Sequence, residues 1–169
     1  MEQAATMPAD SQESFGALLE RHRGIVFKVA NTYAHGADDR ADLAQEIAAQ
    51  LWRAYPRYDP ARTFSTWMYR IALNVAISFV RTDLRRDRES VPLDDGLHDL
   101  AGDGADHEKE QQIRALHRFI ALLPPLDRAL MLLYLEDRSG REIAEVLGIS
   151  ESNVTTKLGR LKQRIRSEI

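Results

Sequence analysis

The 169-residue chain contains no cysteine. That absence excludes disulfides, thiol chemistry and any cysteine-ligated zinc site, and it agrees with a reducing compartment. Long apolar runs are missing as well. No stretch approaches the roughly 20 residues that a membrane-spanning helix needs, so no membrane insertion is expected. Met1 to Gln12 is polar and acidic, without the basic and apolar blocks of a signal peptide, and a cytoplasmic location is expected. The five histidines (His22, His35, His98, His107 and His117) show no pairing at metal-site spacing. With no Gly-rich phosphate loop and no triad signature beside them, the expectation is a non-enzyme that needs no metal or organic cofactor. Alternating apolar and polar residues, the mark of a half-buried strand, are absent too.

What is present is charge, unevenly spread. The net charge is -3 and the pI near 6.0, which argues against a chain that binds nucleic acid along its whole length. From Trp52 to Ser90, however, Arg53, Arg57, Arg62, Arg70, Arg81, Arg85, Arg86 and Arg88 outweigh Asp59, Asp83, Asp87 and Glu89. From Val91 to Glu110 the acids Asp94, Asp95, Asp99, Asp103, Asp106, Glu108 and Glu110 face only Lys109. The tail from Lys157 to Arg166 carries five cations and no acid. Two basic modules flank an acidic strap, a layout suited to local contact with phosphate.

Apolar residues recur at helical spacing almost throughout, which predicts an all-α fold. A first helix is expected from about Ser14 to Arg23, and a second through Ile25, Val26, Val29, Ala30 and Tyr33. Gly36 then serves as a left-handed cap. Asp38 or Asp39 is expected to cap a third helix bearing Leu43, Ile47, Leu51 and Trp52. Pro56 and Pro60 bracket a short loop, and a long fourth helix begins near Thr63. Residues 1–12 are expected to be disordered and residues 90–107 to form a flexible acidic linker. Between and beyond them lie two small helical domains, residues 13–89 and 108–169.

Several residues near the C-terminus agree on a helix-turn-helix. Ser139 and Glu142 form a capping-box pair, Ala144 is small where two helices must cross, Gly148 takes the turn, and Ser150 caps the second helix. Val154 and Leu158 anchor that helix from beneath. In such a motif the start of the second helix meets base edges while flanking cations hold phosphates. Asn153, Thr156 and Lys157 are therefore expected near bases, and Arg160, Lys162 and Arg164 on the backbone. A purely structural hairpin with a solvated basic face would need the caps, the small crossing residue and the charge bias to coincide by accident.

Motifs along nearly the whole chain sharpen this. They are Asp42-Leu43-Ala44-Gln45-Glu46-Ile47 with Leu51-Trp52, then Tyr58-Asp59-Pro60 ahead of Phe64-Ser65-Thr66-Trp67-Met68-Tyr69-Arg70-Ile71-Ala72-Leu73-Asn74. Further on come Leu122-Leu123-Pro124-Pro125-Leu126-Asp127-Arg128 and Arg141-Glu142-Ile143-Ala144-Glu145-Val146-Leu147-Gly148-Ile149-Ser150. In this order and spacing the chain resembles bacterial RNA polymerase sigma factors of the extracytoplasmic-function group, which keep only regions two and four.

The resemblance implies a role for each stretch. Asp42, Gln45 and Glu46 would meet the clamp helices of the largest polymerase subunit, and the flap of the large subunits is a further implied contact. Arg57, Tyr58, Arg62, Phe64, Ser65 and Asn74 would pocket an unstacked base of the minus-ten element, Arg70 would contact the same element, and Arg81, Arg85 and Arg86 would hold duplex phosphates. Stacking and cations together hold single strands, on the order of 1 to 3 kcal/mol per stacked base. By helical phase Phe64, Trp67 and Ile71 share a face, so Trp67 is assigned mainly to packing. Arg141, Ser150, Ser152, Asn153, Thr155, Thr156, Lys157, Arg160, Lys162 and Arg164 would read the minus-thirty-five element. Implied partners are core polymerase, promoter DNA and an anti-sigma factor. Rival readings are a sigma mimic that sequesters an anti-sigma factor and a stand-alone helix-turn-helix regulator.

Three departures from the family pattern stand out. Asn153-Val154-Thr155-Thr156-Lys157 replaces the common Thr-Val-Lys-Ser-Arg, which alters base preference because arginine grips guanine bidentately. Gly159 sits mid-helix at a cost of roughly 1 kcal/mol relative to alanine, unless DNA or another helix comes close. Arg40-Ala41 stands where the family usually has alanine and an acid.

Overall fold

A computed structural model describes residues 9–86 and 107–169. Among them are eight α-helices, a short 3-10 turn and no strand, as the periodicity predicts. Four helices build the first domain: α1 (Ala9–Arg21), α2 (Arg23–Tyr33), α3 (Ala37–Ala54) and α4 (Phe64–Arg86). Four more build the second: α5 (His107–Leu122), α6 (Pro125–Leu135), α7 (Gly140–Leu147) and α8 (Glu151–Glu168). The expected acidic linker lies outside the described residues, apart from His107, which opens α5.

The first core is built on spacing of three and four. Leu43, Ile47 and Leu51 project from one face of α3 and are fully buried with Val29 of α2 and Met68 and Leu73 of α4. Phe15 of α1 closes the bundle with an edge-on ring at 4.4 Å from Trp52 and a stacked one at 4.3 Å from Tyr55. Helix α1 starts inside the stretch expected to be disordered, and Phe15, fully buried, anchors it to the core. Two other expectations are corrected. Gly36 does take a left-handed φ of 84°, but as the residue that opens α3; α2 closes at Ala34 in extended geometry. Asp38 and Asp39 lie within the first turn of α3 and make no cap hydrogen bond there, so they act through the helix dipole.

The second core gathers Leu130, Met131 and Leu133 of α6 with Ile143 and Val146 of α7 and Val154, Leu158 and Leu161 of α8. Pro125 occupies the first turn of α6, where its missing N–H costs nothing. The two domains are not separate bodies. Helix α7 lies against α4, α6 against α2 and α4, and α5 against α2.

Candidate nucleic-acid and polymerase interfaces

The helix-turn-helix forms through the predicted contacts. The Ser139 hydroxyl accepts from the Glu142 amide at 3.1 Å, and the Ser150 hydroxyl from the Asn153 amide at 3.1 Å. Gly148 adopts φ 68°, ψ 33°, and the amides of Gly148 and Ile149 both reach the Ala144 carbonyl, at 2.9 and 3.2 Å. That turn fixes how α8 leaves α7. With Val154, Leu158 and Leu161 buried, Ser152, Asn153, Thr155, Thr156 and Arg160 are exposed, and so are Arg141 and Ser150 before them. Thr155 spends its hydroxyl on the Glu151 carbonyl at 3.1 Å.

Cations on α8 divide by what already holds them. The Lys162 ammonium stands 4.3 Å from the centre of the Tyr134 ring. The Arg164 guanidinium lies 5.1 Å from the Phe119 ring and 3.4 Å from Glu168. Arg160 has no such partner among the described residues. Gln163 and Arg166, exposed on the same helix, were not singled out by sequence, because a glutamine carries no charge signal and Arg166 sits in the last turn.

In the first domain Asp42, Gln45 and Glu46 are exposed on α3, opposite Leu43, Ile47 and Leu51. Glu46 accepts from Gln50 at 3.1 Å. Arg40 does not extend this acidic face: its Nε donates to the Ala34 carbonyl at 3.3 Å and pins the turn between α2 and α3. Glu46 and Gln50 share a groove with Asn74, Ser78 and Thr82 of α4, so residues implied for polymerase and for DNA meet in one cleft.

The expected single-strand platform is partly dismantled. Phe64 is only 9% exposed, its ring packed 5.1 Å from His22, 5.4 Å from Trp67 and 5.6 Å from Tyr58. It packs beneath the loop and does not face solvent. Trp67 is core, as its helical phase predicts. Tyr58 keeps its ring at the rim while its hydroxyl donates to the Arg62 carbonyl at 2.6 Å, and Asp59 accepts from the Ala61 amide at 3.0 Å. These two bonds knot the loop ahead of α4. Burial pushes the Tyr58 phenol up. Arg57 and Arg62 are exposed on the loop before α4 and Arg70, Asn74 and Arg81 are exposed along α4, and Trp52, at 39%, is the most open of the clustered rings. The Arg85 side chain lies outside the described residues.

Sequence reasoning missed what covers Ser65. Its side chain, 8% exposed, accepts at 2.9 Å from Arg138 of the second domain, whose guanidinium also stands 5.1 Å from the Tyr69 ring. Glu136 meets Lys28 at 2.7 Å, and the Tyr33 hydroxyl donates to the Pro125 carbonyl at 2.7 Å. Between Glu136 and Arg138, Asp137 takes a left-handed φ of 57°, and the side chains on either side of it reach different helices of the first domain. No local signal announces such contacts.

Comparison with known proteins agrees with this geometry. Residues 18–86 match the family described as Sigma-70 region 2, and residues 113–165 the one described as Sigma-70, region 4. RNA polymerase sigma factor CnrH of Cupriavidus metallidurans is 31% identical, over 96% of this chain and 90% of that protein. ECF RNA polymerase sigma factor RpoE of Cereibacter sphaeroides is 34% identical over 91% and 79%. Among solved structures, sigma factor RpoE in complex with the anti-sigma factor NepR from Bartonella quintana superposes with a TM-score of 0.71 at 17% identity, covering 92% of this chain and 96% of that one. CnrH in complex with the cytosolic domain of CnrY gives 0.64 at 24% identity, covering 92% and 87%. No helix of the described residues is long and apolar enough to cross a membrane.

Proposed function

Since the chain belongs to the extracytoplasmic-function group of bacterial RNA polymerase sigma factors and directs that polymerase in transcription initiation, we propose a division of labour among its surfaces. Asp42, Gln45 and Glu46 grip the clamp helices of core polymerase, and the second domain engages the flap. Arg57, Tyr58, Arg62, Arg70 and Asn74 hold the melted minus-ten strand, Ser65 joining them once the domains part. Phe64 stiffens the loop, and Arg81 with Arg85 steadies duplex phosphates. Ser150, Ser152, Asn153, Thr155, Thr156, Lys157 and Arg160 read the minus-thirty-five element from α8, with Arg141 on a nearby phosphate. Lys162 and Arg164 contribute less, because Tyr134, Phe119 and Glu168 already hold them.

The observation that carries the reading is α8 itself, capped at Ser150 and packed by one seam so that its opposite face is polar and open. The role is binding rather than catalysis, needs no cofactor, and belongs in the cytoplasm where polymerase works. The likeness to RpoE solved with NepR supports an anti-sigma partner for this chain too. The test is to mix the purified protein with core polymerase and the DNA upstream of its own gene, then look for transcripts. Failure to bind core would overturn the reading.

A further inference from the structure

Glycine is the poorest helix former after proline, and it is kept inside a helix where something comes too close for a side chain. Gly159 is the ninth of the eighteen residues of α8, so neither cap explains it. Its φ is not left-handed, unlike that of Gly148, and a Cβ built on it would meet nothing within 4 Å. Nothing among the described residues therefore requires glycine there. Along the helix Gly159 falls in line with Ser152, Thr156 and Gln163 at steps of four, three and four. The buried seam of Val154, Leu158, Leu161 and Ile165 runs at the same steps on the opposite side. Every charged residue within four positions of Gly159 is a cation: Lys157, Arg160 and Lys162. Gly16 of α1 also has open space around it, but its charged neighbours over the same span are the acids Glu13 and Glu20.

We propose that Gly159 is the point where the α8 backbone itself lies against promoter DNA, so that it sets promoter affinity and not the fold. This rests on the reading of α8 as the minus-thirty-five helix. Helix Cα atoms lie about 2.3 Å from the axis, so a bare glycine lets the main chain reach van der Waals contact with a sugar, phosphate or base edge. An added methyl holds the helix off by about 1 Å. One of the charge-assisted hydrogen bonds from the flanking cations, which work at about 2.7 to 2.9 Å, is lost to that displacement.

The experiment uses holoenzyme made from core polymerase and full-length chain. The probe is the duplex fragment that wild-type holoenzyme selects from a randomised DNA library. Gly159→Ala is expected to melt at the same or a higher temperature than wild type. Its holoenzyme should bind the selected fragment about tenfold more weakly, the loss of one charge-assisted hydrogen bond, and Gly159→Leu more weakly still. Arg160→Ala serves as the reference for α8 as a DNA helix. If Gly159→Ala binds as wild type while Arg160→Ala is weakened, the close-approach role is overturned and α8 keeps its assignment. If neither substitution changes binding, or wild type selects no fragment, both fall together. A lowered melting temperature in Gly159→Ala would mean that the glycine serves the fold, which also overturns the proposal.

Discussion

Arg138 and Ser65, 73 residues apart, are joined by a 2.9 Å hydrogen bond that places a cation of the helix-turn-helix domain on the first turn of α4. The same guanidinium lies 3.5 Å from Glu142 and faces the Tyr69 ring. Burial raises the Tyr69 phenol, so it stays neutral beneath the cation. A residue that the sigma-factor resemblance gives to the minus-ten strand is thus covered by the other DNA-binding domain.

Arg138→Ala should therefore loosen the closed arrangement without unfolding either domain. A charge-assisted hydrogen bond contributes on the order of 1 to 2 kcal/mol at a partly exposed site, enough to shift the open fraction about tenfold. Because the chain has no native cysteine, labels can be attached at Asp39→Cys and Ser167→Cys and the distance between them measured by energy transfer. It should lengthen in Arg138→Ala and change less in Ser65→Ala, where the Arg138 contacts to Tyr69 and Glu142 remain. An unchanged distance would show that the Arg138 contacts do not hold the domains together.

That contact marks the boundary of what could be read from the residues in order. Ser139, Glu142, Ala144, Gly148 and Ser150 act on neighbours three to five positions away, so spacing alone places the helix-turn-helix. The buried seams of α3 and α4 follow from steps of three and four in the same way. Lys28, Glu136 and Arg138 look like ordinary surface charges in sequence, because their partners are set by how two domains dock and not by local pattern. Phe64 misleads for a related reason. Aromatic residues among arginines suit either a stacking platform or a core, and only the packing of Phe15 and Trp67 against its ring decides.

The docked state should also respond to alkali. Burial pushes the Tyr33 phenol well above its ordinary value, with Arg128 opposing part of the rise, and the hydrogen bond to Glu136 raises the Lys28 ammonium. Both groups are more firmly protonated in the folded, docked protein. Their stabilisation is present in full below about pH 10, the ordinary value for each, and is lost as pH climbs through the raised values. The label distance should hold steady to about pH 9.5 and lengthen above it. In a chain carrying Tyr33→Phe and Lys28→Met that alkaline dependence should flatten. A double variant that opens with pH as wild type does would assign the effect elsewhere.

Within the helix-turn-helix, Gly148 and Gly159 should behave in opposite ways. Gly148 sits at φ 68°, where a Cβ crowds the following carbonyl, so Gly148→Ala should destabilise the domain by about 1 to 2 kcal/mol. Gly148→Asn should recover part of that loss, since asparagine tolerates the left-handed region. Ser150→Ala, which removes the cap on the Asn153 amide, should cost about 1 kcal/mol. Denaturant melts followed by helical circular dichroism would rank these variants, and a Gly148→Ala protein as stable as wild type would contradict the strained geometry of the turn.

Salt dependence separates the cations of α8. A residue that neutralises one phosphate contributes about one unit to the slope of log affinity against log salt. Arg160 is exposed and unclaimed by any described residue, so Arg160→Ala should lower the slope of holoenzyme binding to its promoter by about one. Arg164 is spread over the Phe119 ring and drawn toward Glu168, and reaching a phosphate would require it to leave both. Arg164→Ala should change the slope by clearly less while lowering the melting temperature, because the guanidinium covers apolar surface of α5. Titrations from low to moderate salt with each variant would test the ordering. Equal slopes for the two variants would mean that Arg164 leaves Phe119 when DNA binds, and that α8 meets the backbone along its whole length rather than over its first half.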